Sequence, residues 1–487
     1  MENPPALGHR DIRRIIIGIM LAMFLGALDQ TIVATAMPSI GRDLGNASAL
    51  SWVITAYLLA STAVTPLYGK LSDSYGRRRM MLIAIAVFVA GSLGCALAPD
   101  IVTLVVMRGV QGLGGGGLIS LAQTIIADIV SPRERARYQG YIAGMFSVAS
   151  VGGPVLGGVL SQHLHWSVIF WINLPMGLAA LVMTDRVLRL LPRHDRHHRL
   201  DLPGAVLMVL AALSLLLALT WGGVSYPWTS APILGVLGAS VLLWSGFVWR
   251  TVTAEQPFLP VSILVNPVVR NAVAAAFFTM GSMIGLCMFI PIYLEVMRGQ
   301  AAGSSGLMLI AFVGTVPIGA LIAGRAMARL RHYKLPSLIG LPVSALMIAI
   351  LALWPAEVSA TGILAVMAVA GIGIGCVLPV TTVSLQNAVP IGQMGTATGA
   401  MNFFRALGSA LLVAGFSALF FAGLGDGVSG VPMELLAGHL GDRGAGLAPV
   451  FSHVFAAASL CLACGWGFML NMEEKPLRTS VEAKPAE

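Results

Sequence analysis

Asp29 and Arg108 are the two residues whose type and setting offer chemistry most directly. Each interrupts a long apolar run, Asp29 in IGIMLAMFLGALDQTIVATAM and Arg108 in IVTLVVMRGVQGLGGGGLISLAQTII. A carboxylate placed there can bind and release a proton, because burial disfavours its charged form and a nearby cation favours it. Counting inward at about 1.5 Å per residue puts Asp29 about 13 Å below Pro38 and Arg108 about 12 Å below Asp100. Similar depth allows the two to pair. Proton exchange gated by that pair is one chemistry; a fixed structural ion pair is the other.

A second candidate is phosphate binding. Gly112, Gly114 and Gly117 spell G-x-G-x-x-G after the strand-like run IVTLVVM, and Glu134 follows about twenty residues on, as in a dinucleotide-binding turn. Such a cradle needs a solvated strand–turn–helix unit with its glycine amides facing the ligand. Here the glycines continue an apolar run and Glu134 falls in a basic loop, so close helix packing is the reading these residues favour. The stretch HDRHH at His194–His198 reads as a solvated basic loop rather than a metal site. Cys461-x-x-Cys464 lies in an apolar run, where small thiols are packing residues. No hydrolase, kinase or zinc signature is found, so the chain is not expected to be an enzyme or to carry a metal or other cofactor.

The elements that must position these residues follow from composition. Of 487 residues, 57% are hydrophobic and 10% charged, against about 25% charged in an ordinary soluble domain. Apolar runs near or above the eighteen or so residues that span a bilayer as a helix recur along the whole length. Fourteen are predicted. They include Ile15–Met37 as the first, Ile101–Ile126 as the fourth, Tyr138–Leu160 as the fifth, Ala272–Glu295 as the ninth and Thr396–Gly423 as the thirteenth. A signal peptide is the alternative for the first run, with A-T-A at Ala34–Ala36 as its cleavage site, but Asp29 and the length of the run favour a span.

Basic loops stay on the cytoplasmic side of a membrane. Of the 29 Lys and Arg residues, only Arg42, Arg298 and Arg443 fall in outer loops, and Arg108 and Arg405 in spans, when both termini are placed inside. An odd number of spans scrambles this bias. The net charge of +8 is thus topology rather than a footprint for nucleic acid.

Self-comparison divides the chain. Gly112-x-Gly114-x-Gly116 recurs as Gly371-x-Gly373-x-Gly375, an offset of 259 that also carries Gly140 onto Gly399. GKLSDSYGRRR from Gly69 aligns with GRAMARLRHYK from Gly324 at an offset of 255. Two six-helix halves with an extra pair between them account for both offsets. The expected units are an N-terminal bundle at 1–200, two extra helices at 201–265, and a C-terminal bundle with a short tail at 266–487. Parallel halves of this kind place the substrate near the midplane between them.

LDQTIVATAMPSI (Leu28–Ile40), GKLSDSYGRRR (Gly69–Arg79), RGVQGLGGGG (Arg108–Gly117), GGPVLGG (Gly152–Gly158) and QNAVPIGQMGTATGAMNFFRALG (Gln386–Gly408) together resemble the major facilitator superfamily. Within it they are similar to the fourteen-span drug:proton antiporters, over nearly the whole chain. The second half departs from the pattern, with Ala328 where Asp73 would repeat and Arg331 where Gly76 would. The resemblance implies an all-α polytopic membrane protein with the major facilitator fold. It implies proton coupling at Asp29, which faces Arg108 at a central cavity. The loop of Gly69, Asp73, Gly76 and Arg77 would latch the inner face in the outward-open state. The pattern at Gly153, Pro154, Gly157 and Gly158 would mark an exporter or antiporter.

Read without the resemblance, the small residues of the fifth span let helices approach closely and Pro154 bends it. Arg78 and Arg79 need no more than the bias of basic loops. Asp73 suits a helix N-terminus or a pair with Arg77. On the thirteenth span, Asn402, Phe403, Phe404 and Arg405 are candidates to line a cavity for lipophilic compounds. Glu295, near the outer end of the ninth, is a further candidate for which interfacial solvation is the simpler fate.

The expected function is proton-driven antiport that exports drugs or other lipophilic or amphipathic small molecules from the cytoplasmic (inner) membrane of a bacterium. Protons, the bilayer and the exported compound are its partners, and a periplasmic adaptor protein is left open. Export of a lipid or siderophore on the same scaffold is the transport alternative. A membrane sensor or scaffold that no longer transports is the alternative from another class.

Overall fold

With no water to bond in the hydrocarbon, a spanning backbone must satisfy its own polar groups, and apolar runs of this length do so as helices. The computed structural model describes residues 9–45, 47–189, 201–223, 226–300, 302–330, 332–424 and 446–477. The histidine-rich stretch 194–198, Arg331 and Arg443 lie outside them. Long helices follow one another as α1 (His9–Leu44), α2 (Trp52–Tyr75), α3 (Arg77–Ala96), α4 (Ile101–Ile129), α5 (Pro132–His163) and α6 (Val168–Trp171 continued by Asn173–Leu188). After α7 (Leu202–Trp221) and α8 (Ala231–Thr253) come α9 (Pro267–Arg298), α10 (Ala302–Val313 and Val316–Arg329) and α11 (Leu335–Leu353). The last are α12 (Ala360–Gly375 and Val377–Ala388), α13 (Met394–Leu424) and α14 (Ala448–Asn471). Among the described residues there is no strand, only an isolated bridge between Gly222 and Tyr226.

Among the described residues, thirteen helices are long and apolar enough to cross a membrane. α2 has the length but not the apolar content, and it buries Ser61, Thr65, Ser72 and Ser74 against its neighbours. α1 runs through Pro38 to Leu44, beyond the predicted end at Met37.

The repeated glycines mark equivalent contacts in two halves. A Cβ at Gly112 or Gly116 would collide with the backbone of α2 at Tyr57 or Ser61, and one at Gly114 with α3 at Phe88. In the second half a Cβ at Gly371 or Gly375 would collide with α10 at Phe312 or Val316, and one at Gly373 with α11 at Gly340. The bare backbone therefore lets α4 sit between α2 and α3, and α12 between α10 and α11. Contacts across the halves repeat as well. Gly140 on α5 faces Leu321 on α10, and Gly399 on α13 faces Pro66 on α2; Pro66 and Leu321 are related by the same offset of 255 seen in the sequence.

Apolar packing follows this division. Two clusters draw only on residues between Ile15 and Leu188, and a larger one only on residues between Ile263 and Met472. A smaller cluster joins Ala63 of α2, Ala205 and Met208 of α7, Phe247 of α8, and Ala400 and Phe403 of α13. α7 thus lies over the α2–α13 seam, and α8 packs mainly on α7. Asp201 ties this pair together. Its carboxylate caps α7 at the Gly204 amide (3.2 Å), pairs with Arg250 of α8 (2.9 Å) and accepts from the Phe258 amide (3.3 Å).

Candidate functional site

α4 is registered by Asp100, whose carboxylate accepts from the Thr103 amide and hydroxyl, each at 2.9 Å. Those bonds to the charged form hold the Asp100 carboxyl below its usual range. Two turns further in, Arg108 meets Asp29 of α1, with Nη1 2.6 Å from Oδ2. Asp29 is fully buried and Arg108 is 1% exposed. A buried ion pair is retained at low cost only when further hydrogen bonds complete both partners. Here they do. The other Asp29 oxygen accepts from the amides of Gln111 on α4 (2.9 Å) and Asn173 on α6 (2.8 Å). Arg108 donates to Gln111 Oε1 (2.7 Å) and through Nε to the Val53 carbonyl (3.0 Å), and it lies 4.3 Å over the Tyr57 ring. Asn173 also meets Ser92 of α3 (3.1 Å), whose hydroxyl donates to the Phe170 carbonyl (2.9 Å).

The expected pair is therefore formed, but in a different setting. It is sealed inside the first half among α1, α2, α3, α4 and α6 rather than facing a central cavity. Gln30, the next residue of α1, is exposed. The sequence reading missed Gln111, Asn173 and Tyr57. Gln111 was within reach of inspection, since it stands one helical turn from Arg108 on the same face. Asn173 carried only the weaker signal of an amide in an apolar run.

A second cluster joins the halves at the end of the bundle that carries the basic loops. Gly76 has φ 89°, a left-handed conformation that favours glycine, and it turns the chain from α2 into α3. The first turn of α13 has unsatisfied amides and the positive end of the helix dipole. Asp73 supplies the carboxylate: it accepts from the Gly395 amide (3.0 Å), the Thr396 amide (2.7 Å) and the Thr396 hydroxyl (2.6 Å). Arg77 pairs with Asp73 at 2.6 Å and with Asp128 of α4 at 2.7 Å. Gly69 lets α2 come this close, because a Cβ there would collide with the Gly395 carbonyl. Arg78 pairs with Asp185 of α6, so it does more than obey the charge bias, whereas Arg79 is exposed. Glu134 lies at the start of α5, within 3.2 Å of the Ser131 hydroxyl, away from the glycines of α4.

The motif of α5 splits by face. Gly153 and Gly157 are held against α1, where a Cβ would collide with Thr31 or with Ile32 and Thr35. Gly152 and Gly158 have nothing within 4 Å of a Cβ. Pro154 stands inside the helix and leaves the Ser150 carbonyl without its amide. Beside it, Thr31 Oγ1 donates to the Ala149 carbonyl at 2.8 Å.

The α13 candidates divide into two pairs that face different neighbours, Asn402 with Arg405 and Phe403 with Phe404. Asn402 donates to Gln123 of α4 at 2.8 Å, across the two halves, and its oxygen accepts from Arg405 at 3.3 Å. Arg405 also donates to Thr382 (2.7 Å) and Thr381 (3.2 Å) of α12. Phe403 is fully buried and turns the other way, with its ring 6.3 Å from Trp244 of α8. It seals the seam under the extra pair rather than lining a cavity with Asn402. Phe404 stacks edge-on against it at 5.3 Å. Glu295 stands one turn before the end of α9, where Ser305 donates to it at 2.7 Å, remote from the other four.

Comparison with known proteins agrees with this architecture. Residues 19–413 match the model of the Major Facilitator Superfamily. The chain is 34% identical over 397 residues to the multidrug transporter protein MdtP of Bacillus subtilis (strain 168), covering 81% of this chain and 72% of that protein. It is 32% identical over 423 residues to multidrug resistance protein 3 of the same organism, covering 86% and 82%. Across these and other curated relatives it spans between 60% and 82% of their length. The fold is also that of a bacterial homologue of the iron transporter ferroportin in an outward-facing state, with a TM-score of 0.64 at 11% identity, covering 95% of this chain and 98% of that one.

Proposed function

This chain belongs to the major facilitator superfamily, and from that premise we propose that it is a proton-coupled antiporter exporting lipophilic or amphipathic small molecules by alternating access. The observation that carries the reading is the sealed pair of Asp29 and Arg108 at 2.6 Å. Relatives named as multidrug transporters support export, as does the proline- and glycine-rich face of α5. In this reading the chain has fourteen spans, and the basic loops and both termini are cytoplasmic. The membrane is the bacterial inner membrane. Protons alone couple transport, with no cofactor.

A proton arriving on Asp29 converts an acceptor into a donor facing three donors, so at least one of its three hydrogen bonds must break. Arg108 then keeps the Val53 carbonyl, Gln111 and the Tyr57 ring, and is not left bare. With the proton on Oδ2 the bond that breaks is the one from Arg108, and α1 loses its charged tie to α4 at this level. Thr31, half a turn beyond Asp29, is bonded to α5, and Gly140 of α5 bears on Leu321 of the other half. A shift of α1 is thereby passed to the seam between halves. Asp73 holds the opposite seam shut at the basic end through the start of α13, so the described conformation is closed to the cytoplasm in this reading. Each charge moved across the potential supplies about 2.3 kcal/mol per 100 mV, enough for a gradient of tens-fold.

The test is Asp29→Asn in proteoliposomes under an imposed pH gradient. Uphill transport is expected to fall by about 100-fold or more with equilibrium substrate binding retained. Uphill transport at the unmodified rate sinks the proposal.

A further inference from the structure

Arg405 is a buried cation, deep in α13, that this mechanism leaves unused. It is 9% exposed, and among the described residues no carboxylate lies within ion-pair reach of it. Its partners are the neutral oxygens of Thr382, Thr381, Asn402 and, at 3.4 Å, the Leu378 carbonyl. Its Nε has no partner at all, and the Oε1 of fully buried Gln386 on the same half is likewise unsatisfied. A buried charge is costly unless it is paired, and one kept inside a membrane bundle has a use. The acids of the bundle do not compensate it. Asp29, Asp73, Asp128 and Asp185 are each engaged by an arginine, and Glu295 stands near the far end of α9 with Ser305.

We propose that Arg405 is the recognition point for an acidic group on the exported compound, so that the substrates are lipophilic weak acids carried as anions. This rests on the exporter reading and supplies its substrate class. The geometry also gives the order of events. Asn402, which orients Arg405, is capped from the first half by Gln123, and that contact crosses the seam that alternating access must open. When the basic end opens, Gln123 leaves with its half. Asn402 and Arg405 then face the side from which an exporter loads. The guanidinium is a rigid fork that binds a carboxylate or sulfonate through two parallel donors, and the idle Nε is one of them. Among the described residues, no unengaged carboxylate stands beside Arg405 to balance a cationic drug. Outward movement of an anion and inward movement of a proton shift charge in the same direction, so transport draws on the membrane potential through both.

The full-length protein in lipid nanodiscs is tested with two probes of one ring system and opposite permanent charge, 2-naphthalenesulfonate and 2-naphthyltrimethylammonium. The unmodified protein is expected to bind the sulfonate at least about tenfold more tightly, the scale of one charge-assisted hydrogen bond. Arg405→Gln is expected to lose about 10- to 100-fold for the sulfonate and nothing for the ammonium, while Arg405→Lys stays within about tenfold of the parent. Preference of the unmodified protein for the ammonium overturns the proposal. So does unchanged sulfonate affinity in a folded Arg405→Gln. Should that variant fail to fold, the parent's preference and Arg405→Lys decide. Selective, Arg405-dependent sulfonate binding with no movement of either probe in pH-gradient vesicles overturns the exporter reading and leaves the anion site standing.

Discussion

Arg108 and Arg405, both buried within the transmembrane bundle, have opposite electrostatic settings. Arg108, in the first half, meets a carboxylate at 2.6 Å, the Gln111 side-chain and Val53 backbone carbonyl oxygens, and an aromatic face. Arg405, in the second, meets only hydroxyl, amide and carbonyl oxygens, and one of its nitrogens is idle. The halves that carry them are built on a shared plan, down to the glycines that seat α4 and α12 between their neighbours. Repetition has therefore conserved packing while the charge chemistry diverged. One half holds a closed circuit that a proton can open, and the other holds an open one awaiting charge from outside.

Stability separates the two most strongly. Arg108→Gln strands a buried carboxylate and is expected to cost about 3–5 kcal/mol, the penalty for breaking a buried pair. Arg405→Gln removes a cation from neutral surroundings, and its cost is expected to stay within about 1 kcal/mol. Thermal unfolding of both variants in the same lipid compares them directly. The double variant Asp29→Asn with Arg108→Gln should recover most of the first loss, because no unpaired charge remains. Equal losses at the two arginines, or no recovery in the double variant, would erase the contrast.

The halves differ again where they meet. Asp73 caps α13 across the seam, and the corresponding position in the second half is Ala328, so only one of the two related seams carries a carboxylate latch. Asp73→Asn keeps the shape and Arg77 but removes the charge at the helix N-terminus. A capping charge of this kind contributes about 1 kcal/mol, which shifts the balance between closed and open basic ends by about fivefold. A cysteine placed in α13 near Thr398 should react correspondingly faster with a membrane-impermeant thiol reagent applied from the basic side. An unchanged rate would make the latch a local cap and nothing more.

The fold was legible because each of its determinants is local or periodic. Span length, the placement of arginines and the spacing of Gly112, Gly114 and Gly116 against Gly371, Gly373 and Gly375 all survive without coordinates. The Asp29–Arg108 pairing was legible for a similar reason, since depth along a helix can be counted. Direction around a helix was not. In spans apolar on every side, nothing in the sequence tells which face meets which neighbour, so Asn173 and Gln123 went unseen and Phe403 was grouped with Asn402, although their side chains point to different helices. Burial was misjudged for the same reason, and Arg108 proved sealed rather than cavity-lining.

The smallest effect is expected at Gly158, and it bears on how the charged half moves. If α1 transmits the state of Asp29 to α5, the contact surface matters and the rest of the glycine-rich motif does not. Gly157 belongs to that surface, where a Cβ would collide with Ile32 and Thr35, whereas Gly158 has open space around it. Gly158→Ala introduces no clash and removes a flexible residue from a helix interior. It is therefore expected to raise stability slightly, by at most about 1 kcal/mol, and to leave proton-driven transport unchanged. The measurement is the unfolding midpoint together with the transport rate under a fixed pH gradient. A clear loss of transport at Gly158 would mean that α5 acts through bending along its whole glycine run, and that the route from Asp29 does not pass through the α1 contact.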